Sequence, residues 1–135
     1  MEFVESLVLI DGPDEVWKRV SDVEAIPKYW HGTSSIQITE RKNSGVLSIV
    51  VGFAFGGKGR AEVSVDDQTR TLTIQYYSGP FTGVQEISVK EDRILASWDV
   101  KFTGFFKLLS KWNQRHFRAG TIHALERLNS GSSNS

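Results

Sequence analysis

The hydrophobic pattern of residues 34–102 constrains the fold more than any other feature of this chain. Over about 70 residues, apolar and polar side chains alternate with a period of two, which is typical of β-strands with one covered face. Turn sequences such as Asn43-Ser44-Gly45 and Ser78-Gly79-Pro80 interrupt the alternation. The pattern therefore predicts an antiparallel meander of six strands over residues 34–41, 46–55, 60–67, 71–78, 83–90 and 94–102.

A strand and two short helices are predicted before the meander. Residues 2–10 are apolar and β-branched enough for a strand, which stops before Pro13. Pro13 suits the first helical position, with Asp11 or Gly12 as the cap, so one helix is expected to begin there. A second, shorter helix is expected over residues 23–29.

The period returns to 3.6 after Thr103, a predicted cap, and residues 104–129 are expected to form one long helix. At about 1.5 Å per residue, a helix of about 25 residues is near 37 Å long and can cover the apolar face of the sheet. Residues 1–129 are therefore predicted to form a single domain. Residues 130–135, SGSSNS, are expected to be a disordered polar tail.

Composition excludes several classes of partner and chemistry. Sixteen basic and sixteen acidic residues balance, so no net field favours nucleic acid or an anionic membrane. The chain has no cysteine, which excludes thiolate nucleophiles and disulfides. No signal-peptide pattern and no apolar run of bilayer length is visible. We therefore expect a soluble, cytoplasmic protein with no nucleic-acid partner and no stable membrane insertion; monomer and dimer remain open.

Two familiar motifs can be set aside. Residues 52–59, GFAFGGKG, have phosphate-loop spacing, but Gly59 replaces the required Ser or Thr and a strand follows. A hairpin tip is predicted instead, with Gly52 as a bulge or bend.

His116 and His123 are seven residues apart, about 10 Å along a helix, which is too far for one zinc ion. No metal and no cofactor are expected.

The long helix is predicted to turn a mixed apolar and polar face towards the sheet. At 100° per residue this face comprises Phe105, Leu108, Leu109, Trp112, His116, Ala119, Ile122 and His123, with Arg115 and Glu126 near it. Such a mixture is typical of a ligand pocket. Alternatively, the histidines are structural, and His123 pairs with Glu126 at an exposed end. A second side, with Phe106, Phe117, Ala124 and Leu128, is expected to be covered by the curling sheet or by a second subunit.

Alternation also assigns the inner face of the sheet. The inward residues are expected to be Leu47, Ile49, Val51, Phe53, Phe55, Leu72, Ile74, Tyr76, Phe81, Gly83, Gln85, Ile87, Val89, Ile94, Ala96, Trp98, Val100 and Phe102. This places the amide of Gln85 inside, where it needs a partner. The hydroxyl of Tyr76 and a helix histidine are the candidates.

The order of elements resembles that of the START-like superfamily, also called SRPBCC or helix-grip, in its polyketide cyclase/dehydrase-type branch. The resemblance lies in LID, GPDEVWKRVSD and VEAIPKYWHG near the start and in the long C-terminal helix. It implies an α+β fold, in which a curved antiparallel seven-stranded sheet wraps round the long helix. Two short helices lie between strands 1 and 2. It also implies an apolar cavity between sheet and helix, closed at one end by the short helices.

The resemblance implies that Trp17 packs in the core while Tyr29 and Trp30 border the cavity mouth; the alternative is that all three fill core. The predicted ligand-binding residues are Tyr29, Trp30, Phe53, Phe55, Tyr76, Gln85, Trp98, Trp112, His116, Ala119 and His123. A hydrolase triad is not predicted, because the chain lacks GxSxG and cysteine. No residue is assigned as catalytic, because single polar groups in a cavity orient a ligand as readily as they move a proton.

The expected function is binding or carriage of a small, largely apolar molecule, such as a lipid, isoprenoid, aromatic or polyketide-like compound. One alternative is a cyclase or dehydratase that uses His116, Tyr76 and Glu126 as acid–base groups. The other is an interaction domain that docks on a chaperone or ribosome. Ligand identity and pathway do not follow from the residues.

Overall fold

The structure is a computed structural model that describes residues 1–132, apart from the side chains of Phe105 and of residues 109–111. It contains seven strands and three α-helices within that range. These are β1 (Glu2–Val8), α1 (Pro13–Ser21), α2 (Ile26–Tyr29), β2 (Thr33–Arg41), β3 (Leu47–Phe53), β4 (Lys58–Asp66), β5 (Thr71–Tyr76), β6 (Phe81–Val89), β7 (Arg93–Phe102) and α3 (Ser110–Ser130). Short 3₁₀ segments precede α2 (Val23–Ala25) and α3 (Gly104–Leu109).

The strands form one antiparallel sheet in the order β1-β7-β6-β5-β4-β3-β2. Strands β2 to β7 follow one another as the predicted meander, and β1 pairs with β7 at the opposite edge from β2. The connection between β1 and β2 must therefore cross the width of the sheet. This connection contains α1 and α2, so the two short helices lie across one face of the sheet.

The glycine-rich motif at the end of β3 is a hairpin tip, as predicted. The amide of Phe53 donates to the carbonyl of Gly57 at 3.1 Å, and β4 begins at Lys58. No helix follows, so the geometry of a phosphate loop is absent from this described hairpin. The irregularity expected at Gly52 lies opposite it, where the register of β2 shifts between Thr33 and Ser35.

The first helix begins at Pro13 as predicted, with Gly12 as its cap. Asp11 does not cap it, because its carboxylate forms an ion pair with Arg19 at 2.6 Å. The second predicted helix is divided into the 3₁₀ segment and α2. Pro27 stands in the first turn of α2, which is where its missing N–H leaves no hydrogen bond unmade. Trp17 is buried as predicted, and its Nε1 donates to Asp67 at 2.9 Å.

The long C-terminal helix exists, but its predicted start is wrong. Residues Gly104–Leu109 form a 3₁₀ segment, and α3 begins only at Ser110. The hydroxyl of Thr103 does not cap a helix; it donates to the carbonyl of Gly79 at 2.7 Å. Asn113 then holds the 3₁₀ segment against α3 by donating to the carbonyl of Phe106 at 2.8 Å. Residues 133–135 of the expected tail lie outside the described residues.

The face of α3 that packs in the core is not the predicted one. Leu108 is 79% exposed and Trp112 51% exposed, and Ala119, Ile122, Arg115 and Glu126 are exposed as well. The side chains of Phe105 and Leu109 lie outside the described set. The buried residues of α3 are Asn113, Thr121, Ala124, Leu125, Arg127, Leu128 and Asn129, with Phe117 half-buried. The second side noted in the sequence is thus the one that the sheet covers.

Helix α3 packs mainly against β1 and β7, and α1 packs against α3, β5 and β6. Both helices therefore cover one face of the sheet, whose inward residues include Ile49, Val63, Ile74, Ile87 and Ala96, all at most 2% exposed. Because α3 lies towards one edge, part of the face formed by β3, β5 and β6 is not covered by its side chains. Within the described residues, no helix is long and apolar enough to cross a bilayer.

Candidate functional site

A cavity of about 420 Å³ lies between the sheet and the helices, within the size range of small-molecule sites. Strands β3, β5, β6 and β7 form its inner wall, and α3 forms the outer one. Its lining residues are Val20, Ile26, Trp30, His31, Gly32, Thr33, Phe53, Ala54, Phe55, Leu72, Ile74, Tyr76, Phe81, Gln85, Ile87, Trp98, His116, Phe117, Gly120, Thr121, His123 and Arg127.

Aromatic rings build the wall around Phe81, which is 1% exposed. Its ring centroid lies 4.8 Å from that of Tyr76, 5.3 Å from Phe53 and 5.4 Å from Phe117, in edge-to-face arrangements. This geometry sets the positive ring edges against negative ring faces and is the favoured one for buried aromatic pairs. The rings therefore hold one another in place. They offer a rigid, apolar surface.

One polar pair is set into this wall. The hydroxyl of Tyr76 donates to Oε1 of Gln85 at 2.8 Å, and both residues are buried. Tyr76 is one of the two partners that the sequence analysis proposed for Gln85; the other was a helix histidine. Burial raises the pKa of Tyr76, so the phenol stays neutral and remains a donor. Because Oε1 accepts from Tyr76, the Nε2 amino group of Gln85 points elsewhere, and it has no hydrogen-bond partner among the residues described.

A second hydrogen-bonded group joins the sheet to α3. Nε1 of Trp98 donates to the hydroxyl of Thr121 at 3.0 Å, and that hydroxyl donates to the carbonyl of Phe117 at 2.6 Å. The donors of Trp98 and Thr121 are thus used within the protein. These two residues connect β7 to α3, and both line the cavity.

Exposed lining residues mark the mouth of the cavity. They are His31, Gly32, Ala54, Phe55, His116, Gly120 and His123, which come from the segment after α2, the β3–β4 hairpin and α3. The ring of His116 stacks on Trp112 at 4.8 Å, which restricts its orientation. In the described part of the chain, no group of three or more His, Asp or Glu side chains is placed to hold a metal ion.

Arg127 is the charged residue of the wall. It is 6% exposed, and its Nη1 donates to the carbonyl of Tyr29 at 3.0 Å. Its Nε is buried and has no partner among the described residues. The guanidinium thus joins α3 to α2 through one N–H and carries a positive charge into a wall that is otherwise mainly apolar.

The structure brings most of the predicted site residues to this cavity. Those in its wall are Trp30, Phe53, Phe55, Tyr76, Gln85, Trp98, His116 and His123. Three others are placed elsewhere: Tyr29 is buried and does not line the cavity, Trp112 is half exposed outside the wall, and Ala119 faces solvent. Contact of any of them with a ligand remains a prediction.

Sequence reasoning missed Arg127 and Gly120. The signal that could have found them is the spacing of the two helix histidines. Residues 116, 120, 123 and 127 follow one another at intervals of four, three and four, which is one stripe of an α-helix. Extending the stripe of His116 and His123 by one turn reaches Arg127. The stripe runs beside the buried side of α3 and forms the helical border of the cavity.

Comparison with solved structures finds the same architecture in other proteins. The protein TTHA0849 from Thermus thermophilus matches with a TM-score of 0.77 and 19% identity, over 96% of this chain and 95% of that one. The Zhui aromatase/cyclase from Streptomyces sp. R1128 matches with a TM-score of 0.74 and 10% identity, over 97% and 92%. A START superfamily protein from Mycobacterium smegmatis matches with a TM-score of 0.61 and 20% identity, over 94% and 98%.

Sequence comparison is less informative. No protein-family model matches the chain, and no curated protein matches it in sequence. The structural matches cover nearly the whole length of both chains at low identity, so the likeness concerns the backbone arrangement and not particular side chains. The chain therefore has the START-like, helix-grip fold found in aromatase/cyclases and START superfamily proteins.

Proposed function

We propose that the protein binds one small, largely apolar molecule in the cavity between the sheet and α3. The observation that carries this proposal is the cavity itself, with a volume of about 420 Å³ and a wall of aromatic and aliphatic side chains. Ligand sites typically combine such walls with a few polar groups that orient the molecule. The free amino group of Gln85 and the guanidinium of Arg127 are the groups offered here.

The arrangement of the rings supports binding over simple core packing. Phe81, Tyr76 and Phe53 are almost fully buried by their ring contacts, whereas Trp30, Phe55 and Phe117 of the same wall keep part of their surface exposed. Covering apolar surface that faces water contributes about 25 cal/mol per Å² of favourable binding free energy. Lipids, isoprenoids, aromatic and polyketide-like compounds are the classes that fit this wall.

The test is binding of N-phenyl-1-naphthylamine, a neutral apolar probe whose fluorescence rises in apolar surroundings. Gly120 lines the mouth, is exposed, and has nothing within 4 Å of an added Cβ. We expect Gly120→Trp to fold and to weaken probe binding at least tenfold by obstructing the mouth. Ala119→Trp is the matched control, because Ala119 is exposed on the same helix outside the cavity. It should bind like the wild type.

Two results would contradict the proposal. One is a wild-type protein that does not bind the probe, which would favour the alternative of an interaction domain. The other is equal binding by wild type, Gly120→Trp and Ala119→Trp, which would place the probe elsewhere. Mass spectrometry of the protein under native conditions gives an independent readout, since a co-purifying lipid-like mass is the expected result.

A second candidate, cyclisation or dehydration of the bound compound, is favoured by His116. Its imidazole lies in the cavity wall and is stacked on Trp112, so it could move a proton in a bound molecule. Glu126, the other proposed acid–base group, is exposed and outside the wall. Turnover of a polyketide-like substrate that falls about a hundredfold in His116→Ala with unchanged affinity would favour this candidate over simple binding.

A further inference from the structure

Arg127 is a buried cation whose charge is not neutralised by any carboxylate of the described residues. It is 6% exposed, and no carboxylate of the described residues lies within ion-pair distance of it. Other arginines around α3 differ in this respect. Arg118 pairs with Glu5 at 3.0 Å, and Arg19 pairs with Asp11 at 2.6 Å. Both are more exposed than Arg127. A buried charge needs a partner more than an exposed one does, yet Arg127 has no ion-pair partner among the described residues.

The free part of the guanidinium is the edge formed by Nε and Nη2. The bond to the carbonyl of Tyr29 uses Nη1, and neither Nε nor Nη2 donates to any described residue. Nε is buried and unpaired, so Nη2 is the atom of this edge that is offered to an oxygen of a bound molecule. An arginine cannot lose its charge in a protein, so burial cannot be relieved by deprotonation. A bound anion would supply the counter-charge that the described residues do not.

We propose that the ligand carries an acidic oxygen group, a carboxylate or enolate, which pairs with Arg127 while its apolar part lies against the aromatic wall. This inference rests on the proposed function and names the chemical class of the ligand. The position of Arg127 supports it, because the residue lies in the same wall as Phe81 and Trp30. A molecule of this kind would reach the guanidinium of Arg127 and the aromatic wall at once.

A purely structural role for Arg127 makes a different prediction. The bond to the carbonyl of Tyr29 ties α3 to α2, so Arg127 could serve only as a clamp between the helices. Loss of a clamp would loosen the cavity for every ligand. Loss of an anion-binding group would weaken binding of anions alone. A pair of probes that share a ring system and differ by one anionic group distinguishes these roles.

The experiment compares 1-anilinonaphthalene-8-sulfonate with N-phenyl-1-naphthylamine, which share their ring system and differ by the sulfonate. We expect the wild type to bind the anionic probe at least tenfold more tightly than the neutral one. In Arg127→Gln, affinity for the anionic probe should fall at least tenfold, and affinity for the neutral probe should change less than twofold. Arg115→Gln is the control for charge, since Arg115 is exposed on α3 outside the cavity. It should behave like the wild type.

Equal weakening of both probes in Arg127→Gln would overturn the inference and assign the residue to the clamp. So would a wild type that binds the neutral probe as tightly as the anionic one, a result that decides the matter even if Arg127→Gln does not fold. In both cases the neutral probe still binds the wild type, and the proposed function stands. Binding of neither probe would contradict the proposed function and this inference with it.

Discussion

Phe81 should be the residue whose truncation costs the fold most within the cavity wall. Its side chain is 1% exposed and lies among five aromatic rings, with centroids between 4.8 and 6.0 Å away. Replacing a buried Phe with Ala typically costs about 3–5 kcal/mol. Because the neighbouring rings hold one another, they cannot collapse into the space, and we expect Phe81→Ala to fall in this range.

The expected shift in melting temperature follows from chain length. At about 2.1 cal/mol/K per residue, unfolding of a chain of 135 residues has an entropy near 0.28 kcal/mol/K. A loss of about 3–5 kcal/mol then lowers the Tm by about 11–18 °C. Thermal unfolding followed by circular dichroism measures the Tm, and urea unfolding gives the free energy directly.

Phe55→Ala is the matched control, because it removes the same side chain from the rim of the same cavity. Phe55 is 40% exposed and contacts two rings, those of Phe53 and Phe106, both at 5.4 Å. Its partial burial predicts a loss of about 1–2 kcal/mol. If Phe81→Ala destabilised the protein no more than Phe55→Ala, the rings around Phe81 would not be packed as described, and the argument from burial would be refuted.

Three further substitutions test other parts of the fold. Gly83 has a φ of +133°, and an added Cβ would lie 2.2 Å from the carbonyl oxygen of Asp99, so Gly83→Ala should cost more than about 1 kcal/mol in urea unfolding; an unchanged midpoint would contradict this. Gly120→Ala should instead raise the free energy of unfolding by roughly 0.5–1 kcal/mol, because it replaces an unhindered glycine inside α3; a lower Tm would disprove it. A hydrogen bond and the charge of Lys42 lower the pKa of Glu62, so an NMR titration should show a higher Glu62 pKa in Lys42→Met. The pKa of Glu62 is lower in the folded state than in the unfolded state. The stabilisation by Lys42 is therefore present above the usual carboxyl pKa and is lost as the pH falls through the folded-state pKa. If the difference in stability between wild type and Lys42→Met stayed the same across that pH range, this prediction would be refuted.

Much of the sheet could be predicted because its signals are local. Alternation and turn residues located the strands of the meander, and Pro13 marked the start of α1. The bond between Tyr76 and Gln85 was one of two predicted alternatives, since residues on one face of adjacent strands meet and a buried amide requires a partner. Each of these inferences depends on neighbours in sequence or on pairing between consecutive strands.

The orientation of α3 could not be predicted in the same way. Both its sides carry aromatic and polar residues, so periodicity alone offers two choices. The buried side contains Asn113 and Thr121, which read as polar in sequence. In the fold, Asn113 bonds to the carbonyl of Phe106, and Thr121 bonds to Trp98 and the carbonyl of Phe117. These hydrogen bonds remove the cost of burying the two polar side chains. Two of the partners, Phe106 and Trp98, lie outside α3.

The sequence by itself determined the order of the elements, the meander and an inner face rich in aromatic residues, because hydrophobic period and turn chemistry act over a few neighbouring residues. Only the tertiary structure decided that β1 joins β7, which side of α3 meets the sheet, and that Arg127 is buried beside the cavity without a carboxylate among the residues described. These features arise from contacts between residues about a hundred positions apart, such as Arg127 and Tyr29. The free energy of such contacts depends on how the surfaces fit, and no local pattern records it.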